Sequence, residues 1–406
     1  MDEPAIKKLL DARLSRERAK QLLIDLVKVP SPQTPLLEDE PLLKEFIAKA
    51  IEPRLREMGF TDIRRDGMGN LVASYGGGRS GKSLMFIGNA MNQPASTMPN
   101  PYDGDVVDGA KYGLPGECVM GKGASEQKAN LAAMLHAMEV VIASQIPITG
   151  RLMFCCCLSG ETGKHDAIKS VVEGAGVRAD MAVLGGTGLK ITLGNRGRID
   201  VFVTVRGSPC HSARPWDGAN AITGASEAIR LLFKKVNLDR SHPQLGKQSL
   251  TVNHIRSFPD STHTVQDRCE FTLDRRLLPG EGPDQAFAEI ERIAKEVESF
   301  KDPVSGRSYS VEVRLGPFMY PSLVDIDSPI VRLLLRASEV MMGKPAETYY
   351  SPAAFDQGYL NHVGIPTANF GAGEHQYAHT DYDMASVERT TDAARVYSFM
   401  MLNHLT

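Results

Sequence analysis

Strands alternating with helices over the first half of the chain, one-sided strands in the third quarter, and a closing run of helices and short strands predict an α/β fold interrupted by a ferredoxin-like module. The early strands are apolar on both faces and the later ones alternate apolar with polar residues. Two sheets with different surroundings follow from that contrast. At 406 residues the chain is long enough to bury two cores.

Leu22, Leu23, Leu26 and Val27 form a helical stripe that ends at Pro30-Ser31-Pro32. Leu42, Leu43, Phe46, Ile47, Ala50 and Ile51 form a second stripe at the same spacing. Strands are expected at Leu71–Tyr75 and Leu84–Ile87, then a polar loop rich in Pro, Gly, Asn and Asp from Asn89 to about Gly123. Leu131, Leu135 and Met138 mark a helix, Leu152–Leu158 an apolar strand, the stretch near Asp166–Glu173 a helix, and Met181–Leu184 a short strand.

After about Gly197 the period changes. Ile199, Val201, Val203 and Val205 alternate with polar residues, as do Cys269, Phe271 and Leu273, and then Tyr309, Val311, Val313 and Leu315. With a strand at Ser249–Phe258 and helices near Ala219–Lys235 and Asp284–Phe300, the order becomes β-α-β-β-α-β. From about Val324 the chain returns to helices and short strands. The expected domains are residues 1–196 with 319–406, and an insertion at 197–318.

Hydrophobic content of 42% and charged content of 23% are those of an ordinary globular protein. A net charge of −3 gives no footprint for nucleic acid and no polybasic patch for a membrane. No apolar run reaches the roughly 20 residues a bilayer span needs. The opening Met1-Asp2-Glu3-Pro4 is not a secretory signal, so a cytoplasmic address is expected. Cys155, Cys156 and Cys157 are consecutive on a strand and point to alternate faces, which suits small core residues rather than a disulfide framework or a zinc knuckle. Cys118, in the polar loop, is open to solvent on this reading and has no assigned role.

Gly88-Asn89-Ala90-Met91 stands at a strand end, and Gly121-Lys122-Gly123-Ala124-Ser125-Glu126-Gln127-Lys128 opens a helix. Ser159-Gly160-Glu161-Thr162-Gly163 follows the Cys-rich strand. Later come Gly207-Ser208-Pro209-Cys210-His211-Ser212 with Pro215 and Gly218–Ile222, then Asp274-Arg275-Arg276-Leu277-Leu278-Pro279-Gly280, then Ala378-His379-Thr380. Taken in order, these stretches resemble the zinc-dependent aminoacylase, acetylornithine deacetylase, succinyl-diaminopimelate desuccinylase and carboxypeptidase G family. That resemblance implies a mixed-sheet, zinc-peptidase-like catalytic domain with an inserted ferredoxin-like dimerisation lid, and a homodimer paired through the lid.

The family pattern also implies two zinc ions on His and carboxylate ligands, with a Glu base acting on a shared water whose pKa zinc brings to about 7. This sequence departs from it. The first metal His is replaced by Asn89, the Asp that orients it by Met91, the bridging Asp by Glu126, the base by Gly160, and a later carboxylate by one of Gly185-Gly186. Glu126, Glu161 and His379 remain as metal ligands, with Asn89 as an oxygen donor, enough for one divalent ion (Zn, Mn or Co) and not for two. The other reading is a decayed site kept as scaffold. His165 and Asp166 are candidates for a relocated base, or simply a helix start. Cys210 beside His211 is a packing residue more readily than a nucleophile.

In the lid, the resemblance implies that His211 reaches the partner subunit's cleft to stabilise an oxyanion and that Arg276 binds a substrate carboxylate. The alternatives are a turn cap for His211 and an ion pair with Asp274 for Arg276. Three functions follow: a hydrolase cleaving a C–N amide-type bond in a small carboxylate-bearing substrate, a metal-free enzyme using Glu161 or Glu126 as acid or base, or a silent relative that binds a ligand or partner.

Overall fold

The structure is a computed structural model that describes residues 1–77, 81–160 and 162–406. Glu161 therefore lies outside the described residues. The chain divides into two compact units, Met1–Gly194 with Leu323–Tyr350 and Tyr359–Thr406, and Asn195–Ser322 with Ser351–Gly358.

In the first unit, Asp2 and Ser15 cap the helices Glu3–Arg13 (α1) and Arg16–Val27 (α2) by accepting from the Ala5 and Arg18 amides. Behind them lies a mixed sheet. Its order is Asp62–Arg65 (β1), Leu71–Tyr75 (β2), Arg151–Cys157 (β6), Ser83–Asn89 (β3), Met181–Thr187 (β7), Thr367–Gly373 (β13) and Ile191–Asn195 (β8), with Ser322–Leu323 beyond. The centre, β6-β3-β7-β13, is parallel. Leu84–Ile87 is buried throughout because both faces of these strands are covered. The helix Ala129–Ala143 (α3) is buried on nearly every side, which explains its uniformly apolar sequence. A Cβ at Gly88 would stand 2.5 Å from Leu131 Cδ2, so glycine lets α3 lie close on β3.

The stretch from Asn89 to Gly123 is not one loop. It contains Asp105–Asp108 (β4) and Glu117–Met120 (β5), which join Met384–Ser386 (β14) in a three-stranded sheet of order β14-β5-β4. Strands of four residues are too short for alternation to stand out from turn residues. Cys118 lies in β5 and is buried against Leu114 and Met384, correcting the expectation of exposure. All six cysteines are free thiols. No helix among the described residues is long and apolar enough to cross a membrane.

The second unit holds a four-stranded antiparallel sheet, Ser249–Phe258 (β10), Arg268–Leu277 (β11), Gly197–Arg206 (β9) and Ser310–Met319 (β12) in that order. Helices Ala221–Lys235 (α4) and Pro283–Lys295 (α5) pack on one face, over Ile199, Val201, Val203 and Val205. That is the ferredoxin-like order expected from the alternation.

Asp302 fastens this unit. Its carboxylate accepts from the amides of Asn220, Val304 and Ser305 and from the Tyr309 hydroxyl at 2.8–3.1 Å. Burial alone would raise its pKa, but these donors together hold it at about 2. With the folded value below the ordinary 3.8, the unfolded chain binds more protons in this window, so Asp302 stabilises above pH 3.8 and loses that effect as pH falls towards 2. Asp302→Asn is expected to melt several degrees below wild type at pH 6, with the gap closing between pH 4 and 2. Melting curves that stay parallel across that range contradict this account.

Candidate functional site

The segments bearing Glu126 and His379 are stitched together by backbone contacts. β14 pairs with β5, Ala385 opposite Val119, and the Gly121 amide donates to the Asp383 carbonyl at 2.9 Å. The Asp383 carboxylate accepts from the amides of Gly123 (2.7 Å) and Ser125 (2.9 Å), and burial pushes its pKa up to about 6. Ser125 Oγ donates to the Glu374 carbonyl at 3.0 Å, and Lys122 Nζ donates to the Thr380 carbonyl at 2.9 Å. His379 is held in the left-handed region, at φ 64°, a conformation that surrounding contacts must enforce.

The result is that Glu126 Oε2 and His379 Nε2 lie 2.9 Å apart although 253 residues separate them in sequence. Both side chains retain access to solvent. Asp383, Lys122 and Ser125 were not singled out from sequence, because their work is to bind backbone groups and leaves no residue pattern. The one available signal was an acidic residue just before a short strand.

The altered positions behave differently. Asn89, at the end of β3, is 3% exposed, and its Oδ1 has no hydrogen-bond partner. A Cβ on Gly160 would fall 1.8 Å from Asn89 Nδ2, so the Asn89 amide occupies the space that any side chain at position 160 would need. A Cβ on Gly186 would meet the Phe370 amide nitrogen at 2.9 Å, so strand β13 has closed over that position too. Glu38 holds the segment around Gly160, accepting from Ser159 Oγ at 2.6 Å and Thr162 Oγ1 at 2.9 Å, with Lys164 Nζ at 3.5 Å. Leaving a buried amide oxygen unpaired costs about 1–3 kcal/mol, and Gln127 Oε1 is buried without a partner in the same way.

Among the described residues no group of three or more His, Cys, Asp or Glu side chains gathers as a metal centre needs. Glu126 and His379 bring one carboxylate and one imidazole together. The Asn89 oxygen is unpaired, and positions 160 and 186 are closed to side chains. Asp166 Oδ2 pairs with Lys164 Nζ at 2.6 Å and His165 is buried near the Tyr359 ring, so neither stands free as a base.

In the second unit, Cys210 Sγ lies 3.3 Å from the Arg214 carbonyl within its own turn. His211 is exposed, its turn tied to the 263–265 segment through Ser212 N to His263 O (3.0 Å) and Val265 N to Cys210 O (2.8 Å). Its Nδ1 accepts from the Ala213 amide at 3.1 Å. Arg276 makes a two-pronged contact with Asp274, Nε to Oδ1 at 2.8 Å and Nη2 to Oδ2 at 3.0 Å. Asp274 also faces Arg198 at 3.2 Å. Both alternatives weighed for these residues, turn cap and ion pair, describe contacts that are present.

Residues 193–300 match the M20 peptidase dimerisation domain family. An uncharacterized Escherichia coli K12 protein, YgeY, is 25% identical over 403 residues, covering 95% of this chain and 94% of that protein. Succinyl-diaminopimelate desuccinylase of Corynebacterium glutamicum is 25% identical over 386 residues, 91% of this chain and 92% of its own length. Acetylornithine deacetylase of Myxococcus xanthus is 27% identical over 352 residues, 83% and 86% of the two chains. In fold, the chain is similar to the M20 metallo-carboxypeptidase Sso-CP2 of Sulfolobus solfataricus, with TM-score 0.76 and 15% identity over 96% of this chain and 99% of that one. With the resemblance in its motifs, the matched domain and relatives along nearly its whole length, this chain is a homologue of the succinyl-diaminopimelate desuccinylases and acetylornithine deacetylases, built on the M20 peptidase fold.

Proposed function

We propose that the protein is a hydrolase cleaving a C–N amide-type bond in a small carboxylate-bearing molecule, as a homodimer, with one divalent metal ion (Zn, Mn or Co) rather than two. The observation that carries this reading is the Glu126–His379 pair, kept together by the Asp383 clamp while the positions around it have changed. Glu126 and His379 would hold the ion, with Glu161 as the third ligand that the resemblance implies. When bound, such an ion supplies a Lewis acid for the carbonyl and lowers the pKa of water.

The lid residues are suited to the rest. With its Nδ1 accepting from the Ala213 amide, the neutral His211 ring carries its proton on Nε2, leaving an exposed donor for an oxyanion. Arg276 spends two of its five N–H donors on Asp274, which leaves others for a substrate carboxylate. The matched dimerisation domain supports pairing of two chains through the lid.

A direct carboxylate–imidazole contact also favours a second reading, in which Glu126 and His379 work as an acid–base pair without metal. A catalytically silent, ligand-binding relative is the third outcome. Hydrolysis of a panel of N-acyl amino acids, dipeptides and N-carbamoyl compounds, with and without added zinc, manganese or cobalt, separates them. At least one carboxylate-bearing substrate is expected to turn over, and Arg276→Lys should raise its KM about tenfold with little change in kcat. Silence across the panel contradicts the hydrolase reading.

A further inference from the structure

We infer that Arg198 stands beside Arg276 as a second carboxylate-binding residue, and that the substrate carries two carboxylates, as an N-acylated acidic amino acid does. The observation is one of register. β9 and β11 pair with Arg276 opposite Arg198 and Asp274 opposite Asp200. Ser249 of β10 and Met319 of β12 complete the arginine row, which holds two cations and no acid. All four charged side chains stand on the sheet face away from α4 and α5, because Ile199, Val201 and Leu273, which alternate with them, pack on the helix side. Like charges directly opposite on neighbouring strands are destabilising. A sheet using these groups for stability alone is better served by Arg opposite Asp, so the paired arginines point to an anion that lies across them.

The aspartate row holds the arginine row in place. Arg198 donates from Nε and Nη2 to the two oxygens of Asp200 at 2.8 Å each, as Arg276 does to Asp274. Asp274 Oδ2 also lies 3.2 Å from Arg198 Nε, so one oxygen touches both guanidinium groups and keeps them side by side. Gripped in this way, each arginine keeps both hydrogens of Nη1 and one of Nη2 without a partner among the described residues. Both side chains are open to solvent, 29% exposed for Arg198 and 27% for Arg276. The other facing arginines of this sheet, Arg206 and Arg268, are not built alike. Arg206 is exposed, Arg268 lies over the Phe258 ring at 4.0 Å, and neither is held by a carboxylate at two atoms.

Two planar forks fixed side by side suit two carboxylates on a short chain, one to each guanidinium, through charge-assisted hydrogen bonds. The two arginines and two aspartates together are neutral, so selection comes from directed donors and not from a general pull on anions. A substrate with one carboxylate uses the Arg276 fork and leaves that of Arg198 to water. A carboxamide in place of the second carboxylate offers an accepting oxygen but no charge, and so a weaker bond. This subsite deepens the hydrolase reading by naming the substrate class, and it rests on that reading for Arg276 as the holder of the first carboxylate.

The test is isothermal titration of the full-length chain with N-acetylglutamate and N-acetylglutamine, which differ only in the second carboxylate against a carboxamide. Wild type should bind N-acetylglutamate at least tenfold more tightly, and Arg198→Gln should lose most of that preference. Should Arg198→Gln fail to fold with Asp200 left unpaired, the double variant Arg198→Gln with Asp200→Asn removes both charges and gives the same comparison. Arg198→Lys, which keeps the charge and loses the fork, should fall between wild type and Arg198→Gln. Equal binding of the two compounds, tighter binding of N-acetylglutamine, no binding of either, or a preference that survives the loss of Arg198 overturns the subsite. A preference that depends on Arg198 in a protein that hydrolyses nothing on the panel upholds the subsite and removes the hydrolase reading. Hydrolysis with no such preference removes the subsite alone.

Discussion

Glu126→Ala is expected to lower kcat/KM for the best N-acyl substrate at least about 10²-fold, and His379→Asn to do the same. Each residue supplies half of the one carboxylate–imidazole pair that the Asp383 clamp brings together. Asn is chosen at position 379 because it tolerates the left-handed backbone, so the loss reports on the imidazole and not on strain. Both side chains are partly exposed, and melting temperatures should stay close to wild type. The double variant should be little worse than either single one, since groups acting as a unit do not add. Initial rates and thermal melts on the same preparations decide it. Unchanged rates in either variant would remove the pair from the reaction.

Gly160→Ala should destabilise the protein, and Gly160→Glu, which restores the residue type the resemblance implies there, should do so more strongly without raising activity. The added carbon falls 1.8 Å from Asn89 Nδ2, so the amide or the backbone must move. Overpacking of this kind costs about 1–3 kcal/mol, a loss of several degrees in Tm. Asn89→Ala clears the obstruction, and the double variant Asn89→Ala with Gly160→Ala should recover most of the loss, a coupling that a denaturant-unfolding cycle measures. A Gly160→Ala protein as stable as wild type would show that the two positions are not fitted to each other. On this account the absence of a base at position 160 is built into the packing.

Sequence patterns exposed the sheets where burial is strongest. Leu84–Ile87 and Leu152–Leu158 are apolar on both faces because helices cover both sides, and Ile199–Val205 alternates because only one face is covered. β4 and β5 escaped notice because Asp105-Val106-Val107-Asp108 reads as a turn with two valines in it, and the other strand that pairs with β5, Met384–Ser386, lies far along the chain, Ala385 standing opposite Val119. The Glu126–His379 contact was legible only through motif resemblance, since no local pattern joins residues so far apart. Asp383 was invisible for another reason. A carboxylate that binds backbone amides places no constraint on the side chains around it. The Asp274–Arg276 contact was readable, because residues two apart on a strand share a face. What the residue letters could not reveal was that Asn89 fills the gap at Gly160, which depends on where one amide points.

Elemental analysis of the protein purified without chelator tests the single-ion claim most directly. One divalent ion per chain is expected in wild type, falling to about a tenth or less in Glu126→Ala and in His379→Asn. Two ions per chain, or one ion retained in both variants, would contradict it.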